Sequence, residues 1–216
     1  MNTFSVGESI RFGWETFTKR PWFFVGVTLL IMLASGITST VIGMFGENGA
    51  LAALGIVVNI ALSTLIGMGV TAFYLKAHEA PESVESRELW HPNGFWRYLA
   101  ATLLTGTLVV LGLILLVVPG IILMLMCLFV AYIVIDRGLG PIEAIKESRR
   151  ITKGSRWNLL GLLLATIGIN LLGILCLLVG LLVTIPVTSL AIVHAYRKLE
   201  HQASELTPTP SATLTV

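Results

Sequence analysis

Four long stretches of this chain contain no Asp, Glu, Lys or Arg: Trp22 to Phe45, Ala50 to Leu75, Leu99 to Ile135 and Trp157 to Tyr196. A helix needs about 20 apolar residues to cross about 30 Å of hydrocarbon. The first two stretches each suit one crossing, and the last two are nearly twice that length, so each must fold back on itself. The chain is 55% hydrophobic and 12% charged, where a soluble domain is about 25% charged. That excludes a water-soluble globule. A net charge of +2, two cysteines and no separate basic domain also exclude a disordered chain, a disulfide scaffold and a nucleic-acid binder.

Charge placement sets the expected topology, because Lys and Arg gather on the cytoplasmic side of membrane helices. Arg97 and Arg137 flank the third stretch, and Arg156 and Arg197 flank the fourth, so each crosses an even number of times. Val118-Pro119-Gly120 marks the turn of the third stretch, as a membrane hairpin or a shallower re-entrant bend. Gly173 to Gly180 marks the bend of the fourth, with Pro186 kinking the last helix. Six crossings follow, with both termini inside. All 14 basic residues then fall on the inner side, and Glu47 is the sole charge in the outer turns. Trp14, Trp22, Trp90, Trp96 and Trp157 border the same inner segments, where amphipathic rings favour the headgroup layer. The first twenty residues carry Glu8, Arg11, Glu15, Lys19 and Arg20, so no cleavable signal peptide is expected.

The expected fold is all-α: a polytopic membrane helix bundle of about six transmembrane helices, plus amphipathic interfacial helices and an internal repeat. One integral membrane domain covers 1–200, with crossings near 22–45, 50–75, 99–118, 120–136, 157–175 and 178–198, and a disordered tail over 201–216. Interfacial helices are expected over 4–19, where Val6, Ile10, Trp14 and Phe17 recur at helical spacing, and over 141–153. The second begins with Pro141 and ends at Gly154, with Glu143 and Glu147 early and Arg149, Arg150 and Lys153 late, which complements the helix dipole. Set without gaps, Glu8, Ile10, Arg11, Trp22 and Gly26 fall on Glu143, Ile145, Lys146, Trp157 and Gly161, which suggests that an interfacial helix leading into a crossing is built twice.

Gly55, Asn59, Ser63 and Gly67 form one stripe of small or polar residues, and Gly161, Ala165 and Gly168 form another. Such stripes suit close helix packing, within the bundle or between copies. The deep interior carries no ionisable group of the kind a proton relay or an acid–base catalyst uses. Asp136 and His194 lie near the inner interface. Cys127 and Cys176 are isolated in apolar runs, and His78, His91, His194 and His201 lack metal-site spacing. Phosphate-binding loops and serine nucleophile elbows are absent as well. No catalytic residue, cofactor or metal is therefore expected, and the chain reads as a non-enzyme.

One candidate contact remains. Arg149, Arg150, Lys153 and Arg156, with Trp157 beside them, suit anionic lipid headgroups or a partner, or serve simply as topology determinants. The Ala77 to Phe95 connection, with four glutamates, reads as a solvated loop.

The run Gly140-Pro-Ile-Glu-Ala-Ile-Lys-Glu-Ser-Arg-Arg-Ile-Thr-Lys-Gly154, followed by Trp157 and a glycine-containing apolar helix, resembles a group of uncharacterised bacterial inner-membrane proteins. That group is related to the membrane domain of some glycerophosphodiester phosphodiesterases and to YciC-type proteins, and Val118-Pro119-Gly120 is similar to it too. The resemblance implies a multi-pass plasma-membrane protein and no activity, because the phosphodiesterase chemistry belongs to a soluble domain. Two roles follow as expectations: a lipid- or partner-binding membrane module in envelope homeostasis, or a permease-like component docking a cytoplasmic ATPase through the 141–153 helix. Membrane lipids, anionic ones included, a second copy or another membrane protein are the expected partners, and nucleic acid is not.

Overall fold

A computed structural model of the chain describes residues 5–44, 49–90, 94–176 and 179–205. Among these the elements run α1 (Val6–Lys19), α2 (Pro21–Met44), α3 (Gly49–Glu79), a 3-10 turn (Ser86–Leu89), α4 (Phe95–Leu115), α5 (Val117–Cys127), α6 (Val130–Arg137), α7 (Pro141–Thr152), α8 (Arg156–Leu175) and α9 (Leu181–Glu205). The architecture is an all-helical bundle. Glu47, His91 and the 206–216 tail lie outside the described residues, as do Leu177 and Leu178 in the expected bend of the fourth stretch.

Among the described residues five segments are long and apolar enough to cross a membrane, one fewer than the sequence suggests: Pro21–Thr38, Leu51–Glu79, Phe95–Leu115, Val117–Arg137 and Arg156–Leu175. The missing one is α9. Its described part carries Thr184, Pro186, Thr188, Ser189 and His194 before Arg197 and Lys198, which dilutes its hydropathy. It is also the helix most enclosed by protein: Leu190, Ala191, Val193, Ala195 and Tyr196 are fully buried, and α1, α2, α3, α7 and α8 all pack on it. A helix wrapped by other helices tolerates polar groups that a lipid-facing one does not. Residues 201–205, expected to be disordered, continue this helix, where His201 faces Glu205 at 3.3 Å.

The helices facing lipid show the opposite pattern. Leu33, Ile37, Leu51, Val57, Leu111 and Leu164 are all more than half exposed. Bilayer hydrocarbon is as apolar as they are, so their exposure carries no penalty there. The dense core sits at the charged end of the bundle, where Phe24, Phe73, Phe129, Ile133 and Tyr196 are sealed.

The third stretch reverses one turn earlier than expected. Leu116 alone separates α4 from α5, and Pro119 lies inside the first turn of α5, where its missing N–H deprives the helix of nothing. Leu116 donates to Gly112 O at 3.0 Å and accepts from Gly120 N–H at 3.1 Å. A Cβ on Gly112 would meet Gly120 Cα at 3.1 Å, so the pair of glycines lets the two helices touch.

The expected 120–136 helix is broken at Leu128–Phe129, and the cause is a side chain. Ser148 of α7, fully buried, donates to Met126 O at 2.6 Å and accepts from Phe129 N–H at 3.3 Å. Inserting a hydroxyl into the backbone ladder is a standard cause of a sharp helix break.

The helices α1 and α7, the two expected interfacial helices, each pack one face on other helices of the chain and leave the other exposed. α1 buries Ser9, Gly13, Thr16 and Phe17, largely against α9, while Trp14 of its apolar stripe points outward at 52% exposure. A Cβ on Gly13 would overlap the Val187 carbonyl, so this crossing depends on glycine. α7 buries Ala144, Ser148, Ile151 and Thr152 against α4, α5, α6 and α9.

Each buried position of α1 plus 135 gives a buried position of α7. The register continues into the next helix: Phe24 and Val27 of α2 match Leu159 and Leu162 of α8, all buried, and Trp22 and Trp157 are 86% and 84% exposed. The two helix pairs therefore share one burial pattern in the register suggested by the sequence.

Candidate functional site

The charged end is held together by ion pairs between distant helices. Arg137 at the end of α6 pairs with Glu147 of α7 at 2.8 Å and with Glu200 of α9. Arg197 of α9 binds Asp136 at 2.8 Å, Glu200 at 3.1 Å and Glu79 of α3. Asp136 also accepts from the Tyr196 hydroxyl at 2.9 Å. Lys198 pairs with Glu8 of α1. Asp136 is thus an anchor of this network, with both oxygens engaged by Arg197.

Beside the network, His194 Nδ1 of α9 and His78 Nε2 of α3 lie 3.2 Å apart, and the Phe12 ring of α1 stacks on His194 at 4.2 Å. The spacing of His78 in the sequence gave no hint of this contact, because 116 residues separate the two histidines. No group of three or more His, Cys, Asp or Glu suited to a metal ion occurs among the described residues. Cys127 and Cys176 are free thiols, the first buried and the second exposed.

The basic cluster separates into two kinds of residue. Arg150 is bound: its guanidinium meets Glu147 at 2.7 and 2.8 Å and Ala203 O at 3.3 Å. Its hydrogen bonds hold the Glu147 carboxyl below the usual carboxylate range, assisted by Arg137. Lys146, Arg149, Lys153 and Arg156 have no ion-pair partner among the described residues. Arg149 and Lys153 are exposed, as is the Trp157 indole that follows them. Gly154, at φ 92°, makes the left-handed turn that brings the end of α7 round to the start of α8.

The small-residue stripes divide among several neighbours. Asn59 donates to Thr38 O of α2 at 3.1 Å, and Gly55 is buried. Gly67 instead faces α4, where a Cβ would meet the Tyr98 hydroxyl at 3.1 Å, and Ser63 is exposed. On α8, Gly161 faces Val6 of α1, Ala165 is half-buried, and Gly168 has open space around it. The close approach on that helix lies further on, where a Cβ on Gly173 would meet Gly180 C at 3.2 Å.

The connection after α3 leaves Glu82, Ser83, Glu85, Ser86 and Arg87 exposed, as a solvated loop would, but is pinned to the bundle at several points. Val84 is sealed, Lys76 pairs with Glu88 at 3.1 Å, and Arg20 donates to the carbonyls of Glu82 and Val84 at 2.9 and 3.2 Å. Leu89 presses its carbonyl onto Gly69, seven residues back from Lys76 along α3 or roughly 10 Å of helix.

Residues 101–203 match the model of a family described as a protein of unknown function, DUF975. That span takes in α5 to α8 and most of α4 and α9, a little under half of the chain. An uncharacterized protein of Mycobacterium bovis is 26% identical over 224 residues, covering 91% of this chain and 69% of that protein. One of Mycobacterium tuberculosis (strain H37Rv) is 27% identical over 228 residues, with the same coverage. No solved structure matches the chain.

Proposed function

We propose that this chain is a non-enzymatic, multi-pass protein of the bacterial plasma membrane whose charged end faces the cytoplasm, together with both termini. On this reading the turn from α7 to α8 binds anionic lipid headgroups in the service of envelope homeostasis. The observation that carries it is the internal comparison. The α1–α2 and α7–α8 pairs share one buried pattern, yet where the second carries Arg149, Arg150, Lys153 and Arg156, the first carries Trp14, Glu15, Thr18 and Pro21. The shared packing therefore forms without those cations. Three of them, Arg149, Lys153 and Arg156, lack an ion-pair partner among the described residues and flank an exposed interfacial tryptophan.

Each Lys or Arg near an acidic leaflet contributes about 1 kcal/mol, so losing three would weaken a preference for acidic lipid by roughly a hundredfold. Native mass spectrometry of the full-length protein from mixed phosphatidylglycerol and phosphatidylethanolamine membranes reads this directly. Retained phosphatidylglycerol is expected to fall in R149Q/K153Q/R156Q, with Arg150 kept because it clamps Glu147. Unchanged retention of acidic lipid in a folded triple variant would refute the assignment.

We further propose, on the resemblance of the Gly140 to Gly154 run alone, a relation to the membrane domain of glycerophosphodiester phosphodiesterases and to YciC-type proteins, which would concern the lipid-embedded part only. A permease-like role, with α7 docked on a cytoplasmic ATPase, has less support, because α7 spends one face on four helices of its own chain.

A further inference from the structure

Between α2 and α3 runs a groove of about 300 Å3, lined by Ala34, Ile37, Thr38, Leu62, Ile66 and Trp90 among others. Its lining is apolar in practice, since the Thr38 hydroxyl is spent on Ala34 O at 2.9 Å and the Thr38 carbonyl on Asn59 at 3.1 Å. The groove opens onto the outward faces of the two helices, where Leu33, Ile37 and Leu54 are at least half exposed. The end nearer the charged face is closed by the segment folded back along α3. Gly69 admits the Leu89 carbonyl there, and Trp90 follows at 73% exposure.

We infer that this groove holds one acyl chain of a membrane lipid as a resident ligand, with Trp90 lying against the chain at the closed end of the groove. This site is separate from the α7–α8 turn and recognises a different part of the lipid. Near its closed end Lys76 pairs with Glu88 and Arg87 with Glu85 at 2.9 Å, and Arg20 donates to two carbonyls. The residues lining the groove carry no charged side chain, so shape and hydrocarbon contact decide occupancy. A slot between two helices, closed at one end by Leu89 and Trp90, holds a chain longer than the flat helix faces around it do, because more of the chain is in van der Waals contact.

The test uses full-length protein with Trp14, Trp22, Trp96 and Trp157 replaced by Phe, so that Trp90 is the sole indole, and a matching protein that keeps Trp157 alone. Both are reconstituted in phosphatidylcholine brominated at mid-chain, and bulk lipid is then exchanged for unbrominated phosphatidylcholine with cyclodextrin. Trp90 is expected to stay quenched after exchange by at least several-fold more than Trp157, and Ala34→Phe is expected to abolish the difference by filling the slot. Leu62→Phe fills it from the α3 side and serves if Ala34→Phe does not yield folded protein. Recovery of Trp90 as complete as that of Trp157, or persistent quenching in a folded groove-filling variant, overturns the inference.

Discussion

Ser148→Ala isolates the interaction that shapes the middle of the bundle. The Ser148 hydroxyl is fully buried, donates to Met126 O at 2.6 Å and accepts from Phe129 N–H at 3.3 Å. Removing it deletes two hydrogen bonds and leaves a backbone donor in the α5–α6 break without its partner. A net bond contributes about 1 kcal/mol and a stranded buried donor costs about 1–3 kcal/mol. Because one oxygen creates little cavity, the expected loss is about 2–3 kcal/mol, or roughly 4–12 °C in Tm for a chain of this size. Ser9→Ala is the matched control. Ser9 is equally buried on α1, but its hydroxyl reaches only the Ser5 carbonyl at 3.3 Å, which the Ser9 N–H also satisfies at 3.1 Å. Its loss is expected to stay near 0.5 kcal/mol. Thermal unfolding in a mild detergent, with amide exchange at Phe129, provides the assay. Equal losses in the two variants, with no acceleration of exchange at Phe129, would show that the break does not depend on the Ser148 hydroxyl.

Gly13→Ala is expected to detach α1 from α9, because the added methyl overlaps a backbone carbonyl that has no freedom to move, whereas Gly7→Ala, with only Ser5 Oγ at 3.9 Å, stabilises by up to about 1 kcal/mol. Limited proteolysis of the first twenty residues distinguishes the two. Glu147 gives a pH prediction: its carboxyl lies below the ordinary range, chiefly through Arg150, so it stabilises the fold above the unfolded carboxylate pKa of about 4.3 and loses that contribution as pH falls through the lower folded value. Tm is therefore expected to hold from pH 7 to 5 and fall below about pH 4, with a shallower acid-side fall in Glu147→Gln.

Much of the bundle is legible because membrane helices obey one dominant rule. An apolar stretch free of charge has few alternatives to spanning, which is why α2, α4 and α8 start within a few residues of their expected positions. Pro141 and Gly154 likewise bound α7, since one fixes a first turn and the other needs a left-handed backbone. The rest depends on contacts between remote residues. The Ser148 hydroxyl acts on a helix 22 residues away, and no local pattern announces that. α1 has an apolar stripe that reads as membrane-facing, yet the face it packs on α9 is made largely of Ser9, Gly13 and Thr16, because close helix crossing rewards small size over hydrophobicity. The basic cluster was visible in full, but its division into a clamping Arg150 and three unpaired cations depends on where Glu147 and Ala203 come to lie.

The α4–α5 reversal bears on how the protein is made. From Tyr98 to Ile135 the chain carries no ionised side chain, and at the tip Ile114, Leu115, Leu116, Val117 and Val118 are each more than 60% exposed. The one residue outside helix there has both backbone groups bonded, and Pro119 brings no donor at all. During biosynthesis the insertion machinery therefore has no hydrophilic cargo to translocate with this hairpin. Both helices can partition sideways into lipid as a single unit, with Arg97 and Arg137 flanking its two ends.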